Sequence, residues 1–411
     1  MARPFAVTDH RGYSYPPMRV PLLDLSEQYH RLEGEIVAEI KEVLRTQRFI
    51  LGPKLEQFEK TAADYCQVNH AIGVSSGTDG LLAALMALEI GAGDGVVTSA
   101  YSFFGTAGSI ARVGARPVFI DIDATTYNIS SRALREYLKG CKRDANGILR
   151  DSLGTRIRAL MPVHLFGLCA QMNEIIEIAR EHQLLVIEDA AQAIGAQYPL
   201  IGAAATAGSM GDIGCFSFYP SKNLGAAGDA GLVVCRDQKL AKRLRMLREH
   251  GMEPRYYHQI IGGNFRLDEI QAAILNVKLP HLDQWSASRR AAADFYRAEF
   301  ARTGRGGEIT LPAEPYRDSG LTNHHIYHQF VVRVDRRDEL RADLTKREIG
   351  TAIYYPLGLH EQECFRVLDY KAGDFPETER AARQTLALPI YPEISRDAQR
   401  YVVNCIAEFF G

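Results

Sequence analysis

The sequence predicts an α/β fold: a large domain on a mainly parallel, mixed sheet, followed by a smaller C-terminal α/β domain. Three observations predict it. From His70 to Asp189, short apolar runs that stop at turn residues alternate with segments of helical spacing, which is the pattern of βαβ units. The chain has 411 residues, enough for two domains at ~100–200 residues each. A domain boundary near Leu282–Ala293, with a linking helix over Ala287–Phe300, then leads into a region with strand-like runs of its own. The expected division is an N-terminal arm over 1–19, a large domain over 20–282 and a small domain over 283–411.

The arm, MARPFAVTDHRGYSYPPMR, has no continuous apolar core and carries Asp9, His10 and Arg11, so it does not read as a secretory signal. Val20–Leu25 is a short apolar run opening the large domain. Tyr29, Leu32, Ile36, Ile40, Val43 and Leu44 recur at helical spacing, and Gly52-Pro53 breaks the pattern. Leu55, Phe58, Ala62 and Tyr65 mark a second amphipathic helix. His70–Val74 reads as a strand and runs into Ser75-Ser76-Gly77-Thr78-Asp79-Gly80, which opens the helix LLAALMALEI. Free N–H groups and the dipole at a helix start suit a phosphate, although a serine there also caps helices as a matter of course.

Gly95–Ser99 is the next strand, and Phe103 and Phe104 follow its carboxyl end, where an aromatic ring can cover a flat heteroaromatic one. Arg116–Asp121 is a strand, Leu134–Lys139 a helix, and 139–158 a polar, basic loop with no assigned role. Ala159–His164 is a strand ending at a histidine, and Glu174–Glu181 is helical.

The stretch Val186–Leu224 carries the chemistry. One apolar run, Leu184–Ile187, stops at Glu188 and Asp189. Another, Ile213–Phe218, stops at Pro220-Ser221-Lys222. Ligands of open α/β sheets sit at the carboxyl ends of the strands. An acid and a lysine are therefore delivered to one edge of one sheet. That pair is what pyridoxal phosphate requires: a lysine to hold the aldehyde as a Schiff base, and an acid to pair with the pyridine nitrogen. Glu188 and Asp189 face opposite sides of their strand, so only one can meet the ring. The pattern leaves open which.

The residues EDAAQAIGA, followed by FSFYPSKNLGAAGDAG, resemble the DegT/DnrJ/StrS family of pyridoxal phosphate-dependent nucleotide-sugar aminotransferases. The resemblance runs from about Val20 to near the C-terminus. It implies fold type I, the aspartate aminotransferase-like fold. It also implies Asp189 at the pyridine nitrogen, Gln192 by the ring hydroxyl, Ser217 on the phosphate and Lys222 as the Schiff-base lysine, so that Asp189 and Lys222 are the catalytic pair. Ser76, Gly77 and Thr78 match its phosphate turn. Phe103 matches its ring cover, with Phe104 the runner-up, and His164 falls at its V-H-x-x-G, near the cofactor and on the substrate side.

Farther on, Gly262–Glu269 matches the family's G-x-N-x-R-x-x-E. The resemblance implies that Asn264 contacts a neighbouring subunit's phosphate and Arg266 faces substrate, in a homodimer with shared active sites. In the small domain, Gln329–Val334 and Thr351–Tyr355 read as strands. Tyr355 matches the tyrosine of the family's His-Tyr-Pro, which the resemblance implies faces substrate, while Tyr354 replaces the histidine. His360 matches a family histidine and is either structural or beside substrate.

The implied reaction moves an amino group from L-glutamate, which leaves as 2-oxoglutarate, to a keto carbon of a nucleotide-linked sugar. The product is an aminosugar nucleotide for polysaccharide, lipopolysaccharide or glycoside biosynthesis. VPLLDLSEQYHRLEGEI and YKAGDFP resemble 3-aminotransferases, with a UDP-linked 3-keto-N-acetylhexosamine ahead of a dTDP-linked 3-keto-6-deoxyhexose. Lys222 argues against the family's sugar dehydratases, which carry histidine there. A non-catalytic regulator of the same fold is the rival from another class.

The net charge of −2, from 48 basic and 50 acidic residues, carries no basic excess for nucleic acid. Seven scattered cysteines without a C-x-x-C pair read as free thiols of a reducing cytoplasm, and no metal site is expected. No run approaches the ~18 apolar residues of a membrane span.

Overall fold

The computed structural model describes residues 7–8, 14–15, 18–304 and 307–411. The arm expected over 1–19 therefore lies outside the described residues, except for the short pairing of Val7–Thr8 with Ser14–Tyr15 and for Met18 and Arg19.

Seven strands carry the large domain: β1 (His70–Val74), β2 (Asp94–Ser99), β3 (Arg116–Ile120), β4 (Arg156–Met161), β5 (Leu185–Asp189), β6 (Ile213–Ser217) and β7 (Gly231–Cys235). Their spatial order is β3-β2-β4-β5-β6-β7-β1. Neighbours are parallel except β7, which runs antiparallel to both β6 and β1. A two-strand hairpin, Lys142–Arg143 with Leu149–Arg150, is attached to β4, so the basic 139–158 loop is an annex of the sheet. A second hairpin, Gln197–Leu200 with Ala203–Thr206, was not foreseen.

The strands read as unbroken apolar runs because both faces of the sheet are covered. Alternate residues feed two cores. Val97, Val186, Phe216 and Leu232 pack toward one face, with Phe58 and Ile175. Val96, Ile187, Cys215 and Val233 pack toward the other, under Leu81 and Leu85 of α3 (Gly77–Ala87). By this parity Glu188 shares a face with Val186, and Asp189 shares the α3 face with Ile187.

The small domain has its own core around Tyr296, Phe330, Leu340, Leu386 and Val402. Helix α9 (Leu282–Thr303) leads into it. Its strands are β8 (Phe330–Arg333) and β9 (Thr385–Leu388), paired antiparallel. Two expectations are corrected here. Thr351–Tyr355 makes only a single bridge, Ala352 to Ala387, because the backbone of its end is engaged elsewhere, as described below. Val20 does not open the large domain: it bridges Ile349 and packs in the small-domain core. Among the described residues no helix is long and apolar enough to cross a membrane, and no cluster of His, Cys, Asp and Glu could hold a metal.

Candidate active site

β5 and β6 are adjacent and parallel, with Asp189 in register with Cys215. Their carboxyl ends therefore open on the same edge. Asp189 is buried. Its Oδ2 accepts from the Thr106 hydroxyl at 2.7 Å, and its Oδ1 from the Ala191 N–H at 3.2 Å. Thr106 lies on α4 (Phe104–Arg112), and its hydroxyl is 2.8 Å from that of Ser102. Burial pushes the Asp189 carboxyl up, while these donors and the nearby Lys222 pull it down. The same attraction acts in reverse on Lys222, a half-buried amine that burial nevertheless pushes down to about 8. Acid and amine thus lie within electrostatic reach of one another.

Glu188 answers the alternative the strand pattern leaves open. It is 0% exposed on the opposite face, where it accepts from the N–H groups of Gly208, Met210 and Gly211 at 2.8, 2.6 and 2.6 Å. His164 completes that set. It too is 0% exposed, with Nε2 2.8 Å from Glu188 Oε2 and Nδ1 accepting from the Ala170 N–H at 3.1 Å. The expectation that His164 faces substrate is therefore corrected: both its nitrogens are bound inside the fold.

Helix α3 begins at the carboxyl end of β1. A Cβ on Gly77 would stand 2.7 Å from Ser217 Cβ, so the helix start is pressed against the end of β6. The first N–H groups of a helix have no intrahelical acceptor. Those of Gly77 and Thr78, together with the Ser217 hydroxyl, make an anion cradle. The Ser76 side chain does the ordinary thing instead. It caps α3, accepting from the Asp79 N–H at 3.1 Å and donating to Asp79 Oδ2 at 3.0 Å. Ser76 is left with its backbone for any phosphate.

Phe103 is 58% exposed, 6.2 Å from the Tyr355 ring, whereas Phe104 is stacked on Phe365 at 5.6 Å. Of the two, only Phe103 is free to cover a ligand ring. Gln192 accepts from the Phe166 N–H at 2.7 Å and donates to the Tyr355 hydroxyl at 3.1 Å. Tyr355 arrives from the small domain because the Tyr101 hydroxyl accepts its N–H at 2.8 Å and lies 2.7 Å from the Tyr354 carbonyl. That is why this segment does not join a ladder. Burial pushes the Tyr355 phenol up, so it stays protonated.

Asn264 and Arg266 flank Phe265, whose carbonyl accepts the Ser75 N–H at 2.9 Å, while Arg266 bridges Val74. Both residues thus stand beside the turn that opens α3 in their own chain. Arg266 Nε is buried without a partner, and the Asn264 side chain is exposed. Glu269, the acid of the same motif, is buried and accepts from the N–H groups of Gly52, Lys54 and Leu55, closing the start of α2 (Pro53–Tyr65). His360 is buried, its ring 4.7 Å from that of Phe375.

Two residues near the acid and the lysine, Thr106 and His328, are not among those the sequence singles out. Thr106 follows Phe103 by three residues, a helical spacing that a reading of α4 could have used. His328 is buried and electrostatically close to Lys222. Its Nδ1 lies 3.0 Å from Asn223 Oδ1, while Asn223 Nδ2 donates to the Ile326 carbonyl at 3.1 Å. Nothing in sequence spacing announces that contact, because it joins two domains.

The cradle suits a dianionic phosphate, Asp189 a pyridinium, Lys222 an aldehyde, and Phe103 a flat ring. These groups fit pyridoxal phosphate, and the sheet that carries them is that of fold type I. The protein is a pyridoxal phosphate enzyme of that fold.

Comparison with known proteins narrows the class. The DegT/DnrJ/EryC1/StrS aminotransferase family model matches residues 30–407, and the chain belongs to that family. It is 44% identical to the "Pleiotropic regulatory protein" of Geobacillus stearothermophilus, covering 96% of this chain and 99% of that one. It is 40% identical to the UDP-N-acetyl-3-dehydro-alpha-D-glucosamine 3-aminotransferase of Acidithiobacillus ferrooxidans, covering 92% and 94%. Among solved structures, Streptomyces venezuelae DesV in complex with a ketimine intermediate superposes with a TM-score of 0.85 at 38% identity, covering 95% and 98%. The Bacillus subtilis ntda structure with bound cofactor pmp superposes at 0.82 and 30% identity, covering 95% and 85%. The chain is an aminotransferase that uses pyridoxal phosphate.

Proposed function

We propose that this aminotransferase takes an amino group from L-glutamate and delivers it to C3 of a nucleotide-linked 3-keto sugar, with a UDP-linked N-acetylhexosamine the preferred class. The observation that carries the reading is the placement of Asp189 at the carboxyl end of β5 and of Lys222 in the turn that follows the adjacent, parallel β6, near enough for the acid to act on the amine. When bound, the cofactor supplies an electron sink and carries the amino group between the two half-reactions. Asp189, oriented by Thr106, holds a proton on the ring nitrogen. Lys222 would lift the α-proton of the amino donor and pass it on to the cofactor carbon that takes the amino group; general-base catalysis of this kind contributes ~10²–10⁴-fold. Its depressed pKa keeps part of it unprotonated near neutrality. Gly77, Thr78 and Ser217 hold the phosphate. Gln192 and Tyr355 would meet the ring hydroxyl, and Phe103 would keep water off the ring.

The sugar is the part supported by likeness alone. The 40% relative named as a 3-aminotransferase of a UDP sugar favours C3 and UDP. A homodimer, with Asn264 and Arg266 reaching a neighbouring site, completes the proposal, and the reducing cytoplasm is the compartment that suits its free thiols.

The name of the 44% relative favours a second reading, a regulator that keeps the fold. A binding module has no use for a desolvated lysine poised as a base, and so the enzymatic reading is preferred. The test is incubation with L-glutamate and a panel of UDP- and dTDP-linked 3- and 4-keto sugars, with the aminated carbon read by NMR. Amination at C3 of the UDP sugar supports the proposal. Amination at C4 alone overturns the position. A protein that stays colourless with pyridoxal phosphate, and turns over none of the panel, supports the regulator.

A further inference from the structure

Helix α8 (Glu269–Lys278) stitches two parts of the molecule with two of its faces. Residues seven apart lie on one face, two turns along. Glu269 and Asn276 form one such pair and both hold α2, the latter donating to the Lys54 carbonyl at 2.8 Å. Gln271 and Lys278 form another, and both reach the chain just beyond Lys222. Gln271 Oε1 accepts from the Ala227 N–H at 2.9 Å, and Lys278 Nζ donates to the Gly225 carbonyl at 2.6 Å.

That chain is tightly folded. Lys222 N–H donates to the Tyr219 carbonyl at 2.8 Å, and Ala226 N–H to the Phe218 carbonyl at 2.8 Å. A Cβ on Gly225 would overlap the Pro220 carbonyl, so the backbone there lies directly on the outgoing limb. Lys222 therefore stands on a closed loop. Asn223 ties its tip to Ile326 and His328, and Gly225 and Ala227 tie its return limb to α8.

Lys278 is the unusual member of this set. It is 9% exposed, and among the described residues no carboxylate forms an ion pair with it. Burying an ammonium without a counter-charge is unfavourable, and a neutral side chain could donate one hydrogen bond more cheaply. Burial pushes this amine down to about 8, so it is still largely protonated near neutrality. A charged donor makes a stronger, shorter bond than a neutral one.

We infer that Lys278 is a positioning residue: by holding the Gly225 carbonyl it fixes the loop from which the Lys222 amine reaches toward Asp189. The inference rests on Lys222 being the cofactor lysine. That premise is checked separately, by borohydride trapping of pyridoxal phosphate on the wild-type chain and identification of the labelled peptide. A label elsewhere than Lys222 removes the premise before any Lys278 variant is made.

The test uses Lys278→Met and Lys278→Gln in the full chain. Without cofactor, hydrogen exchange at the Leu224–Ala227 amides is expected to speed up about tenfold or more in the Met variant, the loss of one charge-assisted hydrogen bond, with β1–β5 unchanged. With pyridoxal phosphate added, the visible band of the Lys222-bound cofactor is expected to grow about tenfold more slowly, and the Gln variant, which keeps a donor, to recover most of both losses. A folded Met variant with wild-type exchange and wild-type band formation overturns the inference. So does a folded Gln variant as impaired as Met. Should the Met variant fail to fold, the Gln variant decides: near-normal rates support the role, and a tenfold loss refutes it.

Discussion

The Thr106 hydroxyl donates to Asp189 Oδ2 at 2.7 Å, from a helix that begins one residue after Phe103. One short segment thus sets both Phe103, the proposed ring cover, and the orientation of the acid. Thr106→Val keeps the shape and removes the donor. A hydrogen bond to a charged group contributes ~1.5–3 kcal/mol, so the half-reaction with L-glutamate is expected to slow roughly 10–100-fold. Single-turnover loss of the visible band measures it. An unchanged rate would mean that Asp189 is held by the Ala191 N–H alone.

Lys222 makes a prediction in pH. Burial lowers its amine to about 8, and only the neutral amine attacks an aldehyde. Attachment of pyridoxal phosphate to the cofactor-free chain should therefore rise about tenfold per pH unit below that value and level off above it. A rate still climbing toward pH 10 would show a lysine with its ordinary pKa. Stopped-flow absorbance across pH 6–10, an interval chosen to bracket about 8 and the usual ~10.4, distinguishes the two.

Much of this was legible in the amino-acid order. The strand–helix alternation foretells the sheet, since each strand is covered on both faces and reads as an apolar run. The choice between Glu188 and Asp189 was not legible from the pattern, because strand parity says only that they diverge. Which face holds α3 and α4 is a matter of topology. His164 misled for a related reason: a histidine at a strand end looks available, and its two buried partners, Glu188 and the Ala170 N–H, come from other parts of the chain. Thr351–Tyr355 has the composition of a strand, but Tyr101, some 250 residues earlier, takes its backbone groups.

Glu188 and His164 lead to a stability prediction. Glu188→Ala would leave one buried and two part-buried N–H groups, and a buried imidazole, without their acceptor. Breaking such a buried set costs about 3–5 kcal/mol. Denaturant unfolding should show that loss, while any folded fraction keeps the wild-type KM for the sugar, because neither residue faces it. A changed KM with unchanged stability would restore His164 to the substrate side.

Tyr355→Phe keeps the ring beside Phe103 and deletes the hydroxyl that accepts from Gln192 at 3.1 Å. A neutral hydrogen bond is worth ~0.5–1.5 kcal/mol. The expected effect is a decrease in kcat/KM of about tenfold or less, with cofactor attachment unaffected. Equilibrium titration with pyridoxal phosphate and steady-state kinetics separate the two quantities.

Asn264 permits a test of whether active sites are shared between chains. Phe265 points into the core, and by strand alternation Asn264 and Arg266 point the other way, Asn264 into solvent. An outward side chain beside a phosphate turn suits a neighbour's site better than its own. Mixing Lys222→Ala chains with Asn264→Ala chains decides the matter. If Asn264 serves the partner, one site of each mixed dimer combines an intact Lys222 with an intact Asn264 and works. A random equal mixture, half of it mixed dimers with one good site in two, should then recover about a quarter of wild-type activity, as the two-fold symmetry of a homodimer dictates. If Asn264 serves its own chain, no site in the mixture has both residues and nothing is recovered. The measurement requires that each variant be nearly inactive alone, and an active Asn264→Ala homodimer would remove that residue from the site.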